Sequence, residues 1–179
     1  TYGVDYDGSE KYNFVLKDIK KDTIIQVDIP KLVYCCYIWA NNKLIYYLEA
    51  DEANRLNKLW LYNLEEKSKF LLYEETNNDY DLSLEITSDE KYIILTSGNY
   101  NKNYIKIIDI NSNEKKLIIF TDLIEDLKYD IDHHNDYFYI RTNKDNSTNW
   151  KIMRTPVDNI SIENWEEFIT YDENVFIES

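Results

Sequence analysis

Lys43-Leu44-Ile45-Tyr46-Tyr47-Leu48, Lys91-Tyr92-Ile93-Ile94-Leu95-Thr96 and Asp136-Tyr137-Phe138-Tyr139-Ile140-Arg141 are three versions of one phrase, a charged turn residue leading into an apolar run. After a polar loop each has a partner run: Lys58-Leu59-Trp60-Leu61-Tyr62, Asn103-Tyr104-Ile105-Lys106-Ile107-Ile108 and Asn149-Trp150-Lys151-Ile152-Met153-Arg154. From Lys43 to Lys91 to Asp136 the steps are 48 and 45 residues, the spacing of four-stranded propeller blades. The pattern predicts an all-β chain, a β-propeller fragment with about three complete four-stranded blades.

Outward from these runs, the blades fall at about 33–74, 80–121 and 126–171. Upstream, Tyr2 to Tyr6, Tyr12 to Ile19 and Thr23 to Ile29 read as strands, with a turn at Lys20-Lys21-Asp22. They make a partial blade over 1–30 that lacks its first strand. Downstream, 175–179 reads as the first strand of another blade. The chain thus reads as an excerpt that begins and ends in mid-blade, and Thr1 as first residue with Met153 as the sole methionine fits a piece of a longer protein. Helical periodicity is weak. Asp51 to Asn57 suits a turn, and Ser161 to Glu167 suits one helical turn capped by Ser161.

Composition agrees: 44% of the 179 residues are apolar and 15% aromatic, enough for a buried core. Tyr and Ile suit pleated strands. With three glycines and two prolines, turns must be built by Asn and Asp, as at Asn41-Asn42, Asn77-Asn78 and Asn111-Ser112-Asn113. The net charge of −14 argues against a nucleic-acid partner, because phosphate binding needs the opposite balance. It either steers a cationic ligand or keeps a tyrosine-rich surface soluble. Cys35 and Cys36 lie in the apolar run Leu32 to Trp39, where strand neighbours point to opposite faces. A disulfide between them would be strained, so reduced thiols and a cytoplasmic location are expected. No signal peptide and no apolar stretch of membrane-spanning length is seen. The triplets Asn146-Ser147-Thr148 and Asn159-Ile160-Ser161 resemble glycosylation sites but are expected by chance in an Asn-rich chain.

The search for chemistry assigns no catalytic, cofactor-binding or metal-binding residue. Ser97 in Leu95-Thr96-Ser97-Gly98-Asn99 lacks the first glycine of a nucleophile elbow and reads as a strand-end turn. Gly3, Gly8 and Gly98 are too far apart for a phosphate-cradling loop. Asp132 with His133 or His134 offers too few ligands for a metal, and the pair of histidines reads as a hairpin turn. Asp79 with Asp81, and Asp51 with Glu52, are read as solvated loop acids rather than glycosidase carboxylates. Trp39, Trp60, Trp150 and Trp165, three of them expected within strands, suit packing between blades better than a sugar-stacking surface.

Residue strings then carry a resemblance. Tyr129-Asp130-Ile131-Asp132-His133-His134 followed by Phe138-Tyr139-Ile140-Arg141-Thr142-Asn143 resembles a signature stretch in the propeller of the oligopeptidase B family, within the prolyl oligopeptidase group of serine peptidases. Trp39-Ala40-Asn41, Leu72-Tyr73-Glu74-Glu75, Ser88-Asp89-Glu90-Lys91 and Asn164-Trp165-Glu166-Glu167 resemble strings of the same family, in register from Tyr2 to Glu178. The resemblance implies a seven-bladed propeller that caps an α/β-hydrolase domain, admits short peptides and excludes folded proteins. Cleavage after Arg or Lys is implied for such an enzyme. Its Ser, Asp and His belong to the hydrolase domain, so this chain alone is expected to be inactive, and neither Ser97 nor His133 receives a catalytic role. The implied partners are that missing hydrolase domain, the remaining blades and short basic peptides. Glu10 is a weak candidate for contact with the catalytic half. The alternative is a non-enzymatic propeller module that binds a protein or peptide. An incomplete ring exposes blade faces, so self-association is expected.

Overall fold

The computed structural model describes residues 1–178. Strands β1 (Tyr2–Val4), β2 (Lys11–Asp18) and β3 (Thr23–Ile25) form the first sheet, and β4 (Leu32–Val33) also pairs with β2. Three antiparallel meanders follow. The second sheet is β5 (Tyr37–Ala40), β6 (Leu44–Ala50), β7 (Leu56–Asn63) and β8 (Ser68–Glu74). The third is β9 (Asp81–Ile86), β10 (Tyr92–Gly98), β11 (Asn103–Asp109) and β12 (Ile118–Ile119). The fourth is β13 (Tyr129–His134), β14 (Tyr137–Thr142), β15 (Lys151–Pro156) and β16 (Glu166–Ile169). Four such sheets in chain order are propeller blades, and the six quoted runs supply the two central strands of the last three.

Alternation explains which faces are buried. In β14, Phe138, Ile140 and Thr142 are buried while Tyr137, Tyr139 and Arg141 are partly exposed. The tight hairpin before it turns at Asn135, whose left-handed φ of 55° an asparagine tolerates. Fourteen non-glycine residues among those described hold positive φ, including Lys67, Glu90 and Lys115 at hairpin turns. Glycine is replaced by Asn, Asp, Lys and Glu throughout the turns. The last strand of each sheet is blunted: β3 has three residues, β12 two, and β8 and β16 pair across bulges.

Several expectations need correction. The first sheet extends beyond residue 30, because Leu32 and Val33 pair with Tyr12 and Lys11 of β2. The next blade therefore starts at Tyr37, not 33. Between them Tyr34 and Cys35 both take left-handed φ, 55° and 53°, so the cysteines sit in a turn and not on a strand. Neither forms a disulfide among the described residues, and the Cys35 sulfur lies where a side chain on Gly3 would go. The strand expected over Thr23 to Ile29 stops at Ile25. Residues 175–178 form no strand: a strand needs a ladder partner, and the backbone bonds of this segment are a local one from Val175 to Asp172 and a single one from Ile177 to Asn149; Ser179 lies outside the described residues. Ile162–Asn164 is a 3₁₀ turn, but the Ser161 hydroxyl bonds the Glu163 carboxylate instead of capping the backbone. A second 3₁₀ turn, Lys144–Asn146, had no periodic signal.

The chain divides into two compact units, Thr1–Leu84 and Glu85–Ser179, with the boundary inside β9. In the first, Leu32, Ile45, Tyr47 and Tyr62 form a buried cluster against which Phe14, Val27, Ile29, Trp39 and Trp60 pack. In the second, eleven buried residues, among them Ile94, Ile107, Phe120, Tyr129, Phe138, Ile140, Met153 and Trp165, form a continuous core.

Candidate functional site

The turn Thr87 to Lys91 joins β9 to β10, and its shape is set by its own side chains. The Thr87 hydroxyl accepts from the Lys91 and Tyr92 N–H groups at 3.2 and 3.0 Å and donates to Asp89 Oδ1 at 3.0 Å. Two consecutive residues of β13 then grip this turn. Asp132 accepts from the Ser88 N–H at 2.8 Å and from its hydroxyl at 2.5 Å. His133 Nδ1 lies 2.7 Å from Asp89 Oδ2. The imidazole is buried and its ring meets Tyr92 and Phe138 at centroid distances of 4.8 and 5.1 Å. Burial pushes the Asp89 carboxyl up, but hydrogen bonds from His133, Thr87 and Lys91 outweigh it and bring the pKa down to about 2. Serine bonds one acid and histidine the other, so no serine–histidine couple exists here; the arrangement clasps a turn to a strand.

Beside the clasp opens a cleft of about 390 Å³, lined by Glu85, Ile86, Ser88, Ile94, Asp130, Ile131, Asp132 and Arg141. Arg141 donates to Asp130 Oδ2 from Nε at 2.9 Å and Nη2 at 2.6 Å, and its guanidinium stacks 4.6 Å from the Trp150 ring centroid. A third donor, Nη1, reaches the Ile177 carbonyl at 3.3 Å. Glu85 is exposed. Three carboxylates facing one guanidinium leave the cleft acidic.

The other candidates are dispersed. Ser97 is a buried residue of β10, not a turn, opposite Tyr104. His133 and His134 end β13 instead of forming the hairpin turn, which Asn135 and Asp136 make. Among the described residues no three His, Cys, Asp or Glu side chains group to hold a metal. Asp51 organises its own hairpin loop. It accepts from the Ala53 and Arg55 N–H groups and from Arg55 Nε at 2.9 Å, while Arg55 donates to the Asn77 and Tyr80 carbonyls. Partial burial pushes Asp51 up, yet these bonds hold it below the usual carboxylate range. Asp79, Asp81 and Glu52 are exposed. Glu10 is exposed, with left-handed φ of 59°.

Of the tryptophans, Trp165 is buried and donates to the Ile160 carbonyl at 3.1 Å. Trp39 and Trp60 lie in strands and are half-buried; Trp150, with φ of 66°, precedes β15, so two and not three are in strands. Sequence reasoning missed the Asp89–His133 pair and the role of Asn103. The Asn103 carboxamide accepts from the Tyr129 N–H at 3.1 Å and donates to its carbonyl at 2.7 Å, acting as a one-residue strand. The available signal was the roughly 45-residue repeat, which places Ser88-Asp89 and Asp132-His133 44 positions apart.

Comparisons with known proteins extend over the whole chain. The family described as prolyl oligopeptidase, N-terminal beta-propeller domain, matches residues 1–179. Protease 2 of Moraxella lacunata is 25% identical over 159 residues, covering 87% of this chain and 23% of that protein. Dipeptidyl aminopeptidase BI of Pseudoxanthomonas mexicana is 25% identical over 189 residues, covering 99% of this chain and 25% of its own length. The solved structure of oligopeptidase B from Leishmania major superimposes with a TM-score of 0.89 over 99% of this chain and 25% of that one, at 22% identity. The chain thus spans about a quarter of these relatives.

Proposed function

Since this chain belongs to the prolyl oligopeptidase N-terminal β-propeller family, we propose that it works as part of a gate in front of a serine-peptidase domain, admitting short peptides. The observation that carries this reading is the match of the family over residues 1–179. The substrates we propose are short peptides cleaved after Arg or Lys, with the nucleophile, acid and base all in an α/β-hydrolase domain beyond this segment. The relatives' names span a protease, an aminopeptidase and oligopeptidases, so the preference for basic peptides rests on this chain's own charge. A net charge of −14 and the acids Glu85, Asp130 and Asp132 around one cleft favour encounter with cationic peptides.

The chain's own residues bind and exclude; they carry no bond-breaking step. Ser88 and His133, the serine and histidine at the clasp, are each held by a separate aspartate. An arginyl reporter peptide should remain intact with this chain and be cut by a polypeptide in which the segment precedes a hydrolase domain bearing Gly-x-Ser-x-Gly. In that longer enzyme, Glu85→Gln with Asp130→Asn should flatten the salt dependence of cleavage. No preference for Arg or Lys over neutral residues would overturn the substrate assignment, and an intact reporter in both cases would favour a binding module.

A further inference from the structure

The first strand of the last sheet has a free edge whose two ends are plugged and whose middle is not. In a two-residue hairpin the flanking pair His134 and Tyr137 exchanges hydrogen bonds, so Asp130, Asp132 and His134 point their backbone groups at β14. Tyr129, Ile131 and His133 therefore aim theirs outward. Tyr129 is sealed by the Asn103 carboxamide on both its N–H and its carbonyl. The His133 N–H is sealed by Asp132 Oδ1 at 2.8 Å. Between them, the N–H and carbonyl of Ile131 have no partner among the described residues, and they open into the cleft of about 390 Å³. The cleft floor is Ile86, Ile94 and Ile131, and Glu85 on its rim has no ion-pair partner among the described residues.

We infer that this gap in the β13 edge is a docking point for an extended cationic peptide, one residue of which pairs with Ile131 while its neighbours present basic side chains to Glu85 and Asp130. Strand addition gives the backbone bonds, and charge gives the preference. Because successive side chains alternate, the residues flanking the paired one fall on the face that carries Asp130 and Asp132. The plugs on either side limit the ladder to one residue pair, which makes the contact weak and transient. Such a contact suits a gate through which peptides must pass. The inference rests on the peptide-gating reading and adds a location and a register to it.

The test titrates the chain with blocked Arg-Ala-Arg peptide to millimolar concentration while backbone amide resonances are followed. Shifts centred on Ile131 and Asp132 are expected. N-methylation of the central alanine removes the donor that Ile131 accepts and should weaken binding about tenfold. Glu85→Gln, on an exposed residue, should weaken it about threefold, less at high salt. Equal binding of the N-methyl peptide, or shifts confined to other regions, would overturn the site. Shifts at Ile131 on concentrating the protein without peptide would assign the edge to a second copy instead. Reporter cleavage by the longer polypeptide is read separately: cleavage without docking overturns this site alone, and docking without cleavage supports the site while removing the gating role.

Discussion

The two compact units bury similar residue types with different completeness. In Glu85–Ser179 the core is continuous, Phe120 and Phe138 meet edge to face, and the buried side-chain polar groups of the described residues are paired: the Tyr129 hydroxyl accepts from the Ile105 N–H at 2.9 Å, and His133 meets Asp89. Thr1–Leu84 buries as many apolar residues, among them Leu48, Leu59 and Leu61, but among the described residues the Tyr47 hydroxyl and the Trp60 Nε1 are buried without partners. An apolar cluster tolerates tyrosine and tryptophan only at a cost of desolvation when their polar ends find no partner. The second unit should be the more stable and the more specific in its packing, and the first the one that frays.

Phe138→Ala should break that contrast most directly. Phe138 is fully buried against Tyr92 and Phe120, and the cavity should cost about 3–5 kcal/mol in urea unfolding, lowering hydrogen-exchange protection in the second unit. Asp89→Ala should cost about 1–3 kcal/mol by leaving His133 buried without its carboxylate. The same clasp has a pH signature. Asp89 falls from an ordinary 3.8 to about 2 in the folded state, so its contribution is full above pH 3.8 and is lost as pH falls through 2. Asp89→Asn should flatten acid unfolding in that window, and an unchanged profile would remove the clasp from the account.

In the first unit Gly3→Ala should cost about 1–3 kcal/mol, because the new Cβ meets Cys35 Sγ and Tyr12 Cβ; adding Cys35→Ala should recover part of it. Tyr47→Phe should sharpen the comparison in the other direction. It deletes an orphaned hydroxyl without changing shape and should raise stability by about 1 kcal/mol in thermal melts. A loss of stability there would reveal that the hydroxyl has a partner after all.

Much of this was legible because strand pairs are written locally. The runs at Lys43, Lys91 and Asp136 each carried the apolar stretch and turn residues that place a hairpin, and the repeat length joined them into blades. What escaped notice depends on residues meeting across some 45 positions, where side-chain geometry and not pattern decides. Asp132 and His133 read as a hairpin turn because adjacent polar residues beside Asn135 suit one; in the strand their opposite faces let them reach Ser88 and Asp89 separately. The turn at Tyr34 and Cys35 was hidden by an unbroken apolar run, since nothing in Leu32 to Trp39 announces left-handed backbone. The acidic cleft was visible only as net charge until β13 brought its acids beside Glu85.

The left-handed turns also leave a reserve for protein engineering. Lys67, Glu90 and Lys115 sit at positive φ, where a side chain is strained and glycine is at ease. Glycine at each should return roughly 0.5 kcal/mol after its own entropy is subtracted. Lys67 and Glu90 are exposed and belong to no strand, so glycine at those two would keep the strand ladders, the clasp and the cleft unchanged, whereas at Lys115, half-buried, it would also delete the ammonium's hydrogen bond to the Ile110 carbonyl.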